Sequence, residues 1–320
     1  PYVQMSKTLA RECCLMFQKT FVELYRKKYL RMPTKSDMKR LSFLHEKIRG
    51  VPGMFGSLDC MHTKWKNCPM AWQGAYKGRV GAPTIVMEAV ADYHCFFWHL
   101  DLGHAGTNSD VNVLQQSDLY KSFLDGRFEE VEQEAVPFKI SGKEFLKMFI
   151  LVDGAYPKFD RFVKQHGIPM TPAEIAFTKW QGAARKDVER AFGVLQGRWQ
   201  AIARPIQLWD LTQIGFMVKC CLCLHNMCVS DRIMGGDLDA EYDPAHSVLL
   251  EEDMVIPQSQ EFLDICRRER RVPEHRTGVA NMCPSVACEV TREERFANLV
   301  DTTQNLILHE ALVGRFSYLN

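Results

Sequence analysis

Gly53-Met54-Phe55-Gly56-Ser57-Leu58-Asp59-Cys60-Met61-His62 is the stretch on which the fold turns. Its apolar residues give way to polar ones, which predicts a strand over 54–62 with Asp59 toward its polar end. Gly50, Pro52 and Gly53 mark a boundary just before it. Downstream, 83–93 contains the β-branched run Thr84-Ile85-Val86-Met87, and 95–102 is aromatic and extended, so two more strands are expected. Residues 111–124 have a helical period, with Ser109 or Asp110 as the cap. Segments 138–140 and 145–152 flank Ser141-Gly142, a hairpin signal, and Phe149-Ile150-Leu151-Val152 suits a buried strand that stops at Asp153-Gly154. A short helix is expected over 158–165. A strong one is expected over 185–203, with Val188, Phe192, Leu195 and Trp199 on one stripe, and a more buried one over 211–229. Three strands, a helix, a further strand and then helices predict an α/β chain of the mixed α+β kind, a mixed sheet covered by helices.

Outside this core, 5–31 carries a helical stripe of Leu9, Cys13, Phe17, Phe21 and Leu24. Met32-Pro33-Thr34 ends it, and a second helix is expected from about Ser36 to Ile48 with Ser36 or Asp37 as its cap. The expected organisation is a helical, basic segment over 1–50, the sheet domain over 51–231, and an acidic linker with a helical, partly irregular extension over 232–320. Helices are expected there near 258–271 and 292–312.

The chain has 320 residues, of which 46% are hydrophobic and 25% charged, with a net charge of +1. That balance excludes disorder as the main state. A membrane span is not expected, because the most apolar stretch, 216–229, is short and interrupted by Lys219 and His225. Twelve unevenly spaced cysteines without a signal-peptide pattern read as reduced thiols of the cytosol or nucleus. Residues 1–50 hold twelve Lys/Arg against four Asp/Glu, a footprint for phosphate backbones or a solvated helical face.

Three acids stand out by position: Asp59 and Asp153 at strand ends, and Glu189 in the strong helix. Carboxylates converging at one edge of a sheet suit Mg²⁺, a hard cation that takes oxygen ligands and keeps several waters. Two such ions hold the attacking and leaving oxygens of an in-line phosphoryl displacement, so the protein needs no nucleophile of its own. Each acid alone also fits a structural role: Asp-Gly after a strand is ordinary turn chemistry, and a helical Glu is an ion-pair partner.

The sequence around these acids is more specific. The first stretch, with Trp65-Lys66-Asn67-Cys68-Pro69 and Ala71-Trp72 after it, resembles the plant-transposon branch of the PIF/Harbinger transposases. So do Pro83-Thr84-Ile85-Val86-Met87-Glu88-Ala89-Val90-Ala91, Gly106-Thr107-Asn108-Ser109-Asp110-Val111-Asn112-Val113-Leu114 and Asp153-Gly154-Ala155-Tyr156-Pro157. Arg185-Lys186-Asp187-Val188-Glu189-Arg190-Ala191-Phe192-Gly193-Val194-Leu195-Gln196 and Leu224-His225-Asn226-Met227 complete the set. The resemblance implies a DDE nuclease on an RNase H-like fold, its catalytic and metal-binding triad falling on Asp59, Asp153 and Glu189. It further implies two Mg²⁺ (or Mn²⁺) ions, cleavage of phosphodiester bonds at transposon ends with strand transfer into target DNA, and a nuclear location. A Myb-like DNA-binding partner and a homo-oligomer also follow from it.

Asp110, Arg185 and His62 are accessory candidates. Asp110 has helix capping as its other role, and Arg185 shares a helix face with Glu189. Lys66, Lys186, Arg190 and Arg198 are candidates for the DNA backbone. Bacterial relatives carry Tyr-x₂-Arg-x₃-Glu-x₆-Lys, where this chain has Gly182 and Gln196 at the outer positions, and 170–184 departs from the family pattern. The N-terminal helix-turn-helix of the family is largely missing, so a truncated N-terminus is expected. These departures leave a second reading, a domesticated, catalytically silent relative that binds DNA or a protein.

Cys220, Cys221, Cys223, His225 and Cys228 lie in one apolar helix and read as packing rather than zinc ligands. His225-Asn226 is expected to stitch that helix to the sheet. Trp65, Trp72 and Trp98 offer faces to exposed bases but, flanking strands, read first as core, and Cys266-Arg267-Arg268-Glu269-Arg270-Arg271 is a basic cluster suited to nuclear localisation, a DNA contact or a plain helix face.

Overall fold

A computed structural model describes residues 5–133, 137–234 and 291–318. The chain opens with α1 (Lys7–Tyr29) and α2 (Lys35–Arg49). Thr34 caps α2, accepting from Asp37 N–H while the Asp37 carboxylate returns to the Thr34 N–H, so the cap lies two residues before the expected Ser36.

β1 (Met54–Lys64) follows, two residues longer than expected, and then a short α3 (Gln73–Tyr76), β2 (Thr84–Ala91) and β3 (Phe97–Ala105). These three strands pair antiparallel, with Asp59 opposite Ala89 and Glu88 opposite Asp101. The helix expected over 111–124 is two: α4 (Asp110–Gln116) and α5 (Asp118–Leu124). Ser117 divides them, because its extended backbone ends α4 and its hydroxyl caps α5 at Tyr120. After α6 (Arg127–Gln133), β4 (Phe138–Ile140) and β5 (Lys143–Phe145) form a hairpin whose turn holds Ser141 and Gly142 at positive φ. The hairpin's second arm is therefore β5, and the apolar run beyond it is a separate strand, β6 (Phe149–Leu151), in the main sheet.

The helix expected over 158–165 is absent. Its centre is β7 (Phe162–Val163), because pairing with Ile150 and Leu151 buries both residues, which a lone helical turn would not. The five-stranded sheet runs β3-β2-β1-β6-β7, with β6 parallel to β1 and β7 parallel to β6. This is the mixed RNase H-like sheet.

α7 (Pro172–Arg198) starts thirteen residues before the helix expected from 185, capped by Thr171 with Glu174 returning to the Thr171 N–H. α8 (Gln200–Ala203), α9 (Leu211–Met234), α10 (Arg292–Val300) and α11 (Thr302–Arg315) complete the described chain. Asp301 divides the single helix expected over 292–312, its carboxylate accepting from Thr303 N–H.

Every residue of β2 is buried, as a strand covered on both faces requires. One face packs Ile85, Met87, Ala89 and Ala91 against Val188, Phe192 and Leu195 of α7 and Ile214, Val218 and Leu222 of α9. The other packs Leu58, Val90 and Ile150 with α2, α5 and the C-terminal helices, through Leu41, Phe123, Leu299 and Leu312. The end helices of the expected C-terminal extension thus belong to the main core. The helix expected near 258–271 and its basic cluster lie outside the described residues.

α9 is long and apolar enough to span a membrane by length and composition, yet over half of its most apolar window is buried inside the fold. His225 and Asn226 tie it to the sheet. The His225 ring lies 2.8 Å from Cys95 O, and Asn226 accepts from Phe97 N–H while donating to Phe97 O and Tyr29 O. Cys220, Cys221 and Cys223 are buried in the same helix, where burial pushes their thiols up to about 11, 12 and 12.

Candidate active site

β1 continues well past the last residue of β6, so one side of its C-terminal half is left without a strand neighbour. Asp59 lies in that half. Ser57 pairs with Leu151, the last residue of β6, so Asp59 and Asp153 each lie two residues beyond the last position at which the two strands pair. Asp153 is exposed, in the turn that follows β6.

That turn is held from behind by α7. Buried Gln181 donates to both Val152 O at 3.0 Å and Val163 O at 3.1 Å, clamping the ends of the two parallel strands. One helical turn on, Ser57 Oγ donates to Ala184 O. The next turn carries Arg185 and Glu189, and Arg185 spans the site: its Nη2 lies 2.6 Å from Glu189 Oε1 and its Nη1 3.4 Å from Asp59 Oδ2. Sequence spacing allowed the first contact, whereas the second follows from α7 packing across β1.

Burial pushes the Asp59 carboxyl above the usual carboxylate range. The Cys60 N–H on Oδ1 and Arg185 pull the other way, while the charges of Asp110 and Glu189 push it further up. Asp110 therefore stands within electrostatic reach of Asp59. It is not the cap of α4: Ser109 is, accepting from Asn112 N–H. Beside them Cys60 Sγ lies 3.5 Å from Tyr156 Oη, a contact the sequence did not signal, and burial pushes both groups strongly up.

His62 is three residues past Asp59 and so on the opposite face of β1, exposed, with Nδ1 3.1 Å from Thr84 Oγ1. Gln196, at the position of the bacterial lysine, lies 3.3 Å from the Met61 sulfur.

The basic candidates divide. Lys66 and Lys186 are exposed. Arg190 donates to Tyr93 O, pairs with Asp187 at 3.2 Å and lies over the Tyr93 ring. Arg49 grips the same Asp187 with one nitrogen, at 2.7 and 2.8 Å, and covers the same ring. Asp187, missed in the sequence, is thus the centre of a clamp joining α2, α7 and the β2–β3 turn. Burial still pushes its carboxyl up, against the pull of Arg49 and Arg190. Arg198 is half-buried against His225.

Carboxylate oxygens are the donors a divalent cation of the Mg²⁺ class takes, and Asp59, crowded by two other acids, is a carboxylate a cation would stabilise. In donor type the residues present fit such an ion. They are not a closed cage: among the described residues no group of three His, Cys, Asp or Glu side chains stands close enough to hold one metal ion, and Arg185 takes the place between Asp59 and Glu189.

Comparison with known families matches residues 27–235 to the family described as "Plant transposon protein". The chain belongs to the plant transposon protein family. This is the Harbinger-type, transposase-derived family that its motifs resemble. Curated proteins similar to this plant transposon protein include "Protein ALP1-like" of Arabidopsis thaliana, 25% identical over 246 residues, covering 70% of this chain and 58% of the relative. "Putative nuclease HARBI1" of Bos taurus is 24% identical and that of Homo sapiens 23%, each over 220 residues, covering 65% of this chain and 58% of the relative. The chain therefore spans under two thirds of the length of these relatives. No solved structure was found to match it.

Proposed function

We propose that this chain is a divalent-metal-dependent DNA endonuclease of the transposase type. It would cut phosphodiester bonds at transposon ends and transfer the freed 3′ end to target DNA. The observation that carries the reading is the Arg185 bridge, which brings Asp59 of β1 and Glu189 of α7 to one guanidinium beside the strand ends where β6 leads into Asp153. The family and its nuclease-named relatives support it.

In this reading Asp59, Asp153 and Glu189 hold two Mg²⁺ or Mn²⁺ ions. When bound, these supply an activated water or 3′-hydroxyl and neutralise charge on the departing oxygen. Arg185 offsets the repulsion between Asp59 and Glu189, and its guanidinium would be the donor nearest these acids for a scissile phosphate. Gln181 fixes the strand end from which Asp153 projects. Asp110 adds negative charge that favours cation entry. Lys66 and Lys186 attract the DNA backbone. The nucleus as compartment, a homo-oligomer and a Myb-like partner for end recognition belong to the same proposal.

Nicking of supercoiled plasmid carrying the element's ends, with Mg²⁺ or Mn²⁺, tests it. Cutting by the wild type that vanishes in Asp153→Asn is the expected result. A chain that binds the ends without cutting them under either metal is instead the silent binding relative.

A further inference from the structure

Residues 204–210, between α8 and α9, form a loop fastened to the end of β1 by four hydrogen bonds. Lys66 N–H donates to Ile206 O and Ile206 N–H to Lys64 O, at 2.9 and 2.8 Å. The indole N–H of buried Trp65 donates to Leu208 O at 2.7 Å, and the Asn67 amide donates to Gln207 O. The residue after these anchors is Trp209, which is 61% exposed. An indole this open forfeits the burial that normally holds a tryptophan, so packing does not account for it.

Trp209 borders an open groove of about 600 Å³, whose lining includes Arg11, Asn67, Arg204, Gln207 and Met217. Among the described residues no carboxylate lines it. The neighbouring Asp210 is turned away to cap α9, its Oδ1 accepting from Gln213 N–H at 2.8 Å. Arg204 is exposed, Arg11 makes a long 3.4 Å contact with the Gln213 amide, and exposed Lys66 stands where the loop joins β1.

We infer that this groove binds a single-stranded nucleic-acid segment, with a base stacked on Trp209 and phosphates against Arg204 and Arg11. A rigidly mounted aromatic face flanked by cations is what sequence-tolerant single-strand binding uses, and every base offers a face to stack. Asp59 and Lys66 share β1 and its continuation, roughly 20 Å apart at the rise of an extended strand. A DNA strand opened at the carboxylates is one segment this groove would receive. The source of such a strand rests on the DNA-cutting reading above, whereas its binding needs neither metal nor cleavage.

The test is fluorescence anisotropy of labelled dT₂₀ titrated with the full chain in EDTA. Trp209→Ala is expected to weaken binding about 5- to 100-fold, and Trp209→Phe, which keeps a stacking face, to stay near wild type. Arg204→Ala is expected to weaken binding and flatten the log–log salt dependence by about 0.7. Because Trp209 and Arg204 are exposed, these variants keep the fold. Equal dT₂₀ affinity for wild type and Trp209→Ala overturns the inference and leaves the groove as a protein contact. Plasmid nicking by the same preparations separates the two claims. Loss of dT₂₀ binding in Trp209→Ala with no wild-type nicking sinks only the nuclease reading, and nicking with unchanged dT₂₀ binding sinks only this one.

Discussion

Arg185 on α7 reaches Asp59 on β1, with 3.4 Å between its Nη1 and Oδ2, across 126 residues of sequence. The contact brings the helix acid, Glu189, to the strand acid, since the same guanidinium binds both. Arg185→Ala is expected to lower plasmid nicking at least tenfold. Stability should change by less than about 1 kcal/mol, because the pair is partly solvated. Matched urea melts and nicking rates check this. A large loss of stability with normal cutting would make Arg185 a structural tie alone.

Gln181 is buried and donates to two carbonyls, so Gln181→Leu takes this donor from Val152 O and leaves Val163 O only its bond from Val152 N–H. A loss of about 1–3 kcal/mol in urea unfolding is expected. Hydrogen exchange should rise at the Val152 amide, which bonds to Val163 O. Unchanged protection there would mean that the strand end does not depend on the glutamine.

Arg49→Met removes the closest partner of Asp187, whose side chain is only 4% exposed. The expected cost is roughly 2–4 kcal/mol, since a buried charge is left with the weaker Arg190 contact. The double variant Arg49→Met/Asp187→Leu should recover part of it. A double variant no better than the single would contradict the pairing.

Burial lowers His45 and His225 to about 4 from the ordinary 6.5. Both are neutral in the fold and protonate more readily when unfolded. Stability from them is therefore full above about pH 6.5 and falls as pH drops toward 4, by at most roughly 3 kcal/mol each. Denaturant midpoints between pH 7 and pH 4.5 check this. His225→Gln should flatten the decline, and an equally steep decline in the variant would contradict it.

Strands with a strong local signal were legible in the sequence: the β-branched run became β2 and the apolar run before Asp153 became β6. What escaped depends on tertiary partners. Phe162 and Val163 look helical in isolation and form a strand because Ile150 and Leu151 offer an open parallel edge. Ser117 and Asp301 divide expected helices because their side chains capture backbone N–H groups. Leu308 and Leu312 belong to the main core although they lie far along the chain, which no local pattern announces. At the site, the i,i+4 spacing of Arg185 and Glu189 was visible. The bond to Asp59, the Gln181 clamp and the Asp187 clamp join distant segments and needed the fold.

The central claim is that Asp59, Asp153 and Glu189 gather around divalent cations. A crystal of the chain soaked in MnCl₂ and measured at the manganese edge tests it most directly. The account predicts anomalous peaks between the Asp59 and Asp153 carboxylates and beside Glu189, with Arg185 displaced, and no peaks in Asp59→Asn/Asp153→Asn. A wild-type crystal in millimolar Mn²⁺ that keeps Arg185 on Asp59 and shows no peak at these acids would contradict it.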